Sequence, residues 1–113
     1  MEFEEARDHY ARLVATIGEA ELKGAKTPYT SMNGNMYSHL SENGVALRLP
    51  AEAREEFLVR YRTTLYHAHG AVQKEYVTVP ADLLPKTDEL APHFRAAFDY
   101  AVTLKPKPTK RTR

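Results

Sequence analysis

The sequence predicts an α+β domain with a mainly antiparallel sheet, in the order α-β-β-β-α-β-β-α. Three observations predict it: helical spacing of apolar residues in three segments, glycine-centred turn signals between β-prone runs, and joins too short for parallel crossovers.

The first helix is read from residues 3–17. Phe3, Ala6, Tyr10, Leu13, Val14 and Ile17 recur at spacings of three and four, with Glu4, Glu5, Asp8 and Arg12 between them, and Gly18 is placed to stop the helix. Residues 19–27 are of mixed polarity and read as a connection. From Pro28 the pattern shifts to short segments. Asn33-Gly34 separates Tyr29–Met32 from Asn35–Leu40, a strong hairpin signal because both central residues of a type I′ turn need positive φ. Asn43-Gly44 repeats the signal before Val45, Leu47 and Leu49, which alternate with Ala46 and Arg48, so a three-stranded meander is expected.

Pro50 ends that strand, and Ala51 to Arg62 returns to helical spacing with Ala53, Phe57, Leu58 and Tyr61 on one side. The runs 64–68 and 72–79 flank His69-Gly70 and are rich in β-branched and aromatic residues, which predicts a second hairpin or a bent pair. Leu83 and Leu84 suggest a turn of helix before Pro85. Thr87 or Asp88 can cap a last helix reaching Leu104, with Leu90, Phe94, Ala97, Phe98, Ala101 and Val102 as its core stripe. Pro92 is tolerable there only in the first turn.

A chain of 113 residues has room for one hydrophobic core, so residues 1–104 are expected to form a single domain. Residues 105–113 have nothing to bury and are expected to be a disordered, mobile basic tail. The net charge of +1 hides an asymmetry: residues 1–104 carry 11 cationic against 15 acidic groups, a net of −4, so the tail supplies the whole positive balance. An acidic body is a poor general binder of nucleic acid. The acidic start Met1-Glu2-Phe3-Glu4-Glu5 and the lack of a long apolar run predict neither export nor a membrane span, hence a cytoplasmic protein. With no cysteine, disulfides and thiolate chemistry drop out, and only His, Asp and Glu remain as metal ligands.

The stretch Lys23–Ser38, followed by Leu47-Arg48-Leu49-Pro50, Lys74–Pro80 and Leu104–Pro108, resembles the N-terminal domain of the TfoX/Sxy family in its small stand-alone bacterial members. The resemblance implies an antiparallel sheet packed with helices. It brings regulation of DNA-uptake competence into view as the role for which the family is named.

Among chemistry-bearing residues, His67 and His69 form the only close histidine pair. Alternate strand residues share a face, so with His39 or Glu75 they are metal-ligand candidates, the alternative being a surface or turn role. Ser31, Ser38 and Ser41 would need a histidine and an acid beside them for nucleophilic catalysis, and His39 is expected on the strand face opposite Ser38. Gly34, Gly44 and Gly70 lack phosphate-loop spacing. Tyr29, Tyr37, Tyr66, Lys74 and Tyr76 could surround a binding cleft, or simply sit where tyrosine suits a strand. Lys105, Lys107, Lys110, Arg111 and Arg113 could contact phosphates, with no aromatic among them to stack on bases. These readings lead to the expectation of a non-catalytic protein that binds another protein or itself, with tail-led nucleic-acid association and a small metal-dependent enzyme as alternatives.

Overall fold

The structure, a computed structural model, describes residues 1–107. The elements follow the expected order: α1 (Phe3–Val14), β1 (Tyr29–Met32), β2 (Asn35–Ser41), β3 (Gly44–Arg48), α2 (Ala51–Tyr61), β4 (Leu65–Ala68), β5 (Ala71–Thr78) and α3 (Thr87–Thr103). The five strands make one antiparallel sheet in the order β1-β2-β3-β5-β4. Because α2 carries the chain across, the second hairpin arrives reversed, and β5 rather than β4 pairs with β3. Among the described residues no helix is long and apolar enough to cross a membrane.

Local sequence accounts for the turns. Asn33 and Gly34 take φ of 55° and 80°, and His69 and Gly70 take 54° and 76°, so both hairpins close on two residues in the left-handed region. The β2–β3 turn differs from expectation by one position. Its central residues are Glu42 and Asn43, and the positive φ falls on Gly44, the first residue of β3.

Helix α1 ends at Val14 instead of Ile17. Beyond it the chain tightens, with Thr16 and Ile17 amides reaching back three residues and the Thr16 hydroxyl also donating to the Leu13 carbonyl at 2.7 Å. Ile17 stays buried through that tightened turn, whereas Gly18 plays no capping part. In α3 neither Thr87 nor Asp88 caps: Lys86 flanks the helix start without a side-chain bond. Pro92 lies in the second turn, where it removes the donor that would meet the Asp88 carbonyl. Asp88 is exposed, so water can serve that carbonyl. Val102, expected in the core stripe, is half exposed.

The core lies between one sheet face and the pair α1 and α3. Tyr10, Leu13 and Val14 of α1 and Leu90, Phe94, Ala97 and Ala101 of α3 close on Tyr37, Leu40, Val45, Leu47 and Val77 of the sheet. Each large side chain buried this way contributes about 1.5–3 kcal/mol. Helix α2 buries only Phe57 fully and packs beside β5.

Two irregularities shape the sheet. Opposite the Thr30/Ser31 step, β2 carries one extra residue, Tyr37. This bulge lets the consecutive residues Tyr37 and Ser38 both face the helices: Tyr37 packs on Phe94 and Phe98, and Ser38 Oγ lies 2.6 Å from the Tyr10 hydroxyl and 2.5 Å from Thr30 Oγ1. At the second irregularity the pairing jumps from Leu65–Val77 to Tyr66–Gln73, so residues 74–76 of β5 lie between the two rungs. There the hairpin bends, and its outer half folds over the sheet face that the helices leave uncovered.

The expected free tail differs at its start. The Lys107 amide donates to the Asn33 carbonyl (2.8 Å), and Asn35 Nδ2 donates to the Lys105 carbonyl (3.0 Å), which ties residues 105–107 to the β1–β2 turn. The remaining candidates there, Lys110, Arg111 and Arg113, lie outside the described residues.

Candidate functional site

Bending of the β4–β5 hairpin creates a cleft. Its far wall is the outer hairpin, with Tyr66, Ala68, His69 and Gln73. Its near wall is the β1–β2 surface, with Tyr29, Met36 and His39. The cleft has a volume of about 260 Å³, and none of its lining residues carries an Asp, Glu, Lys or Arg side chain, in a chain that is 27% charged.

His39 sits at the centre. Its Nε2 donates to Gln73 Oε1 at 3.1 Å, its ring meets Tyr66 edge-on at 4.8 Å, and Tyr76 packs on it at 5.4 Å. Burial pushes the imidazole below its ordinary pKa, with the Gln73 bond opposing, so the ring is held neutral near pH 7. The Tyr66 hydroxyl is hydrogen-bonded to Ser41 Oγ. Tyr76 donates its hydroxyl to the Met36 carbonyl at 2.8 Å, and burial raises its pKa. His39, Tyr66 and Tyr76 are thereby each oriented by a neighbour, while Tyr29, Met36 and Ala68 give the cleft apolar surface.

The tyrosine and lysine candidates separate. Tyr29 lines the cleft and Tyr76 backs His39, but Tyr37 is 1% exposed and belongs to the core. Lys74 is exposed and does not line the cleft. The bulge at Tyr37 explains the split, because it turns Tyr37 towards α3 while Tyr29 stays at the open face.

The histidines do not gather as a metal site. His69 occupies the turn with positive φ, so it does not share a strand face with His67. His67 is exposed with Nδ1 2.9 Å from the Leu65 carbonyl, and His39 is committed to Gln73. Glu75 accepts from Arg48 Nε at 2.7 Å and from the Tyr100 hydroxyl at 3.0 Å. Burial by itself would raise the Glu75 pKa, but those bonds and the charge of Arg48 outweigh it and hold the carboxyl low. Among the described residues no three His, Cys, Asp or Glu side chains stand close enough to hold a metal ion. The serines are likewise dispersed. Ser38 is in the buried hydroxyl network, Ser31 accepts from Lys23 Nζ, and Ser41 meets Tyr66.

Sequence reasoning missed Gln73 and Met36 as wall residues. Nothing in the sequence marks the bend that brings Gln73 across to β2, since it arises from a pairing jump in β5. No protein-family model, curated protein or solved structure matches this chain.

Proposed function

We propose that this chain is a non-catalytic protein-binding domain, of the kind to which its resemblance to the TfoX/Sxy N-terminal domain points, and that it serves regulation by docking a segment of another protein in the cleft around His39. The observation that carries the reading is the convergence of Tyr29, Tyr66 and the neutral His39 on one uncharged opening. Tyrosine-rich, charge-depleted concavities suit the buried centre of an interface, where a partner's apolar or aromatic side chain is desolvated at little cost. Capture experiments with the wild type and with Tyr29→Ala and Met36→Glu test it. Both positions lie at the surface of the cleft, so the variants should keep the wild-type circular dichroism and lose the captured protein. Capture of the same protein by all three would refute the role of the cleft.

A second reading, nucleic-acid association through the basic segment, is favoured by one observation. Lys105 and Lys107 are exposed while their backbones are tied to the β1–β2 turn, which gives any phosphate contact a fixed origin. Deleting residues 105–113 should then abolish a salt-sensitive affinity for generic DNA or RNA. Equal binding by the truncated chain would end this reading.

A further inference from the structure

A cavity larger than the His39 cleft lies on the other side of Ser41, at the start of α1. Its volume is about 480 Å³, within the range that holds small organic ligands. Val45, Val79 and Leu84 form a buried floor, and the Val79 amide donates to the Val45 carbonyl at 2.8 Å, which extends the β3–β5 pairing beneath it. Ala6, Pro80 and Ala81 continue the apolar wall. Met1 and Phe3 stand at the mouth, 56% and 37% exposed, two of the few large apolar side chains left in water.

The charged side chains of the lining are Glu2 and Glu42, contributed by the chain start and the β2–β3 turn. Against these two carboxylates stands at most the α-ammonium of Met1, so the mouth is net negative. The first-turn amides of α1 favour an anion, and the chain itself supplies Glu2, Glu4 and Glu5 for that purpose. An outside ligand therefore meets an apolar interior beneath an acidic rim.

We propose that this cavity binds a small amphipathic cation: a hydrocarbon body seated on Val45, Val79 and Leu84, with an ammonium or guanidinium group between Glu2 and Glu42. The hydrocarbon supplies affinity by displacing water from the floor, and the rim selects the sign of the head group. The site borders the His39 cleft at Ser41 but shares with it neither the apolar floor nor the two glutamates.

The 113-residue chain labelled with ¹³C at its methionine methyls provides the test, with octylammonium, octanol and octanoate titrated separately below micelle formation. Octylammonium should shift the Met1 methyl and leave the Met36 methyl of the other cleft in place. It should bind more tightly than octanol, and octanoate should bind most weakly. A Glu2→Gln, Glu42→Gln double variant should lose roughly fivefold in octylammonium affinity, as expected for exposed ion pairs, and keep its octanol affinity. Both glutamates are exposed, so the variant should fold as the wild type does. Equal affinity for the three compounds, an unchanged octylammonium affinity in the double variant, or a Met1 methyl that moves with none of them would overturn the proposal.

Discussion

His39 of β2 and Tyr66 of β4 meet edge to face at 4.8 Å although two strands, β3 and β5, separate theirs in the sheet. Such a contact requires the outer β4–β5 hairpin to fold back over the sheet, and the pairing jump between Leu65 and Tyr66 is where it does so. The cleft exists because of that fold-back.

Tyr66 therefore anchors the arm. It is 2% exposed, so Tyr66→Ala should cost about 3 kcal/mol in denaturant unfolding, and amides of the hairpin tip should exchange faster with solvent. Tyr66→Phe keeps the ring and loses only the bond to Ser41, so its cost should be about 1 kcal/mol. Equal costs for the two variants would show that ring packing does not hold the arm down.

The buried hydroxyl network predicts an asymmetry. Ser38 bonds both Tyr10 and Thr30, whereas Tyr10→Phe leaves the Ser38–Thr30 pair intact. Tyr10→Phe should cost about 1 kcal/mol, and Ser38→Ala, which removes the partner that two buried hydroxyls share, about 2 kcal/mol. Urea titrations of both variants decide the order.

How far the sequence revealed this fold can be judged from particular residues. Asn33-Gly34 and the 3–4 spacing of Leu90, Phe94 and Ala97 were legible because turn chemistry and helical period are local properties. The direction of Tyr37 was not, because one extra residue in β2 turns it into the core. Likewise Gln73 reaches His39 only through the bend of β5, so tertiary contact, not local preference, decides which residues line the cleft. The docking of residues 105–107 was hidden for the same reason, since its partners Asn33 and Asn35 lie some 70 positions away.

That docking makes Gly34 doubly required. At φ 80° a side chain is strained, and a Cβ would lie 2.1 Å from the Lys107 carbonyl oxygen. In a chain truncated after Leu104, Gly34→Ala should show the backbone cost alone, about 1–2 kcal/mol. In the full chain the cost should be larger, or residues 105–107 should detach, seen as loss of protection of the Lys107 amide. The same cost in both chains with that amide still protected would contradict the strap.

Stability should also depend on pH in a defined sense. Burial depresses the pKa of His39, and burial together with nearby Arg60 depresses that of His93. The unfolded chain then binds more protons than the folded one at pH values below the ordinary histidine pKa of about 6.5. Stability is full above that value and falls as the pH drops through it towards the folded-state pKa values. His39→Gln should reduce the slope in that window. The depressed Glu75 acts lower, with its contribution lost only as pH falls below the usual carboxylate range. A slope near pH 6 that His39→Gln leaves unchanged would mean that His39 is not held neutral by the fold.

The three methionines report on separate places: Met1 at the acidic cavity, Met32 against the core and Met36 in the His39 cleft. The most direct test of the proposed function is the methyl spectrum of the ¹³C-methionine protein on adding its captured partner. The account predicts that the Met36 methyl shifts while Met1 and Met32 stay, and that Tyr29→Ala abolishes the shift. A partner that binds and leaves Met36 unmoved would contradict it.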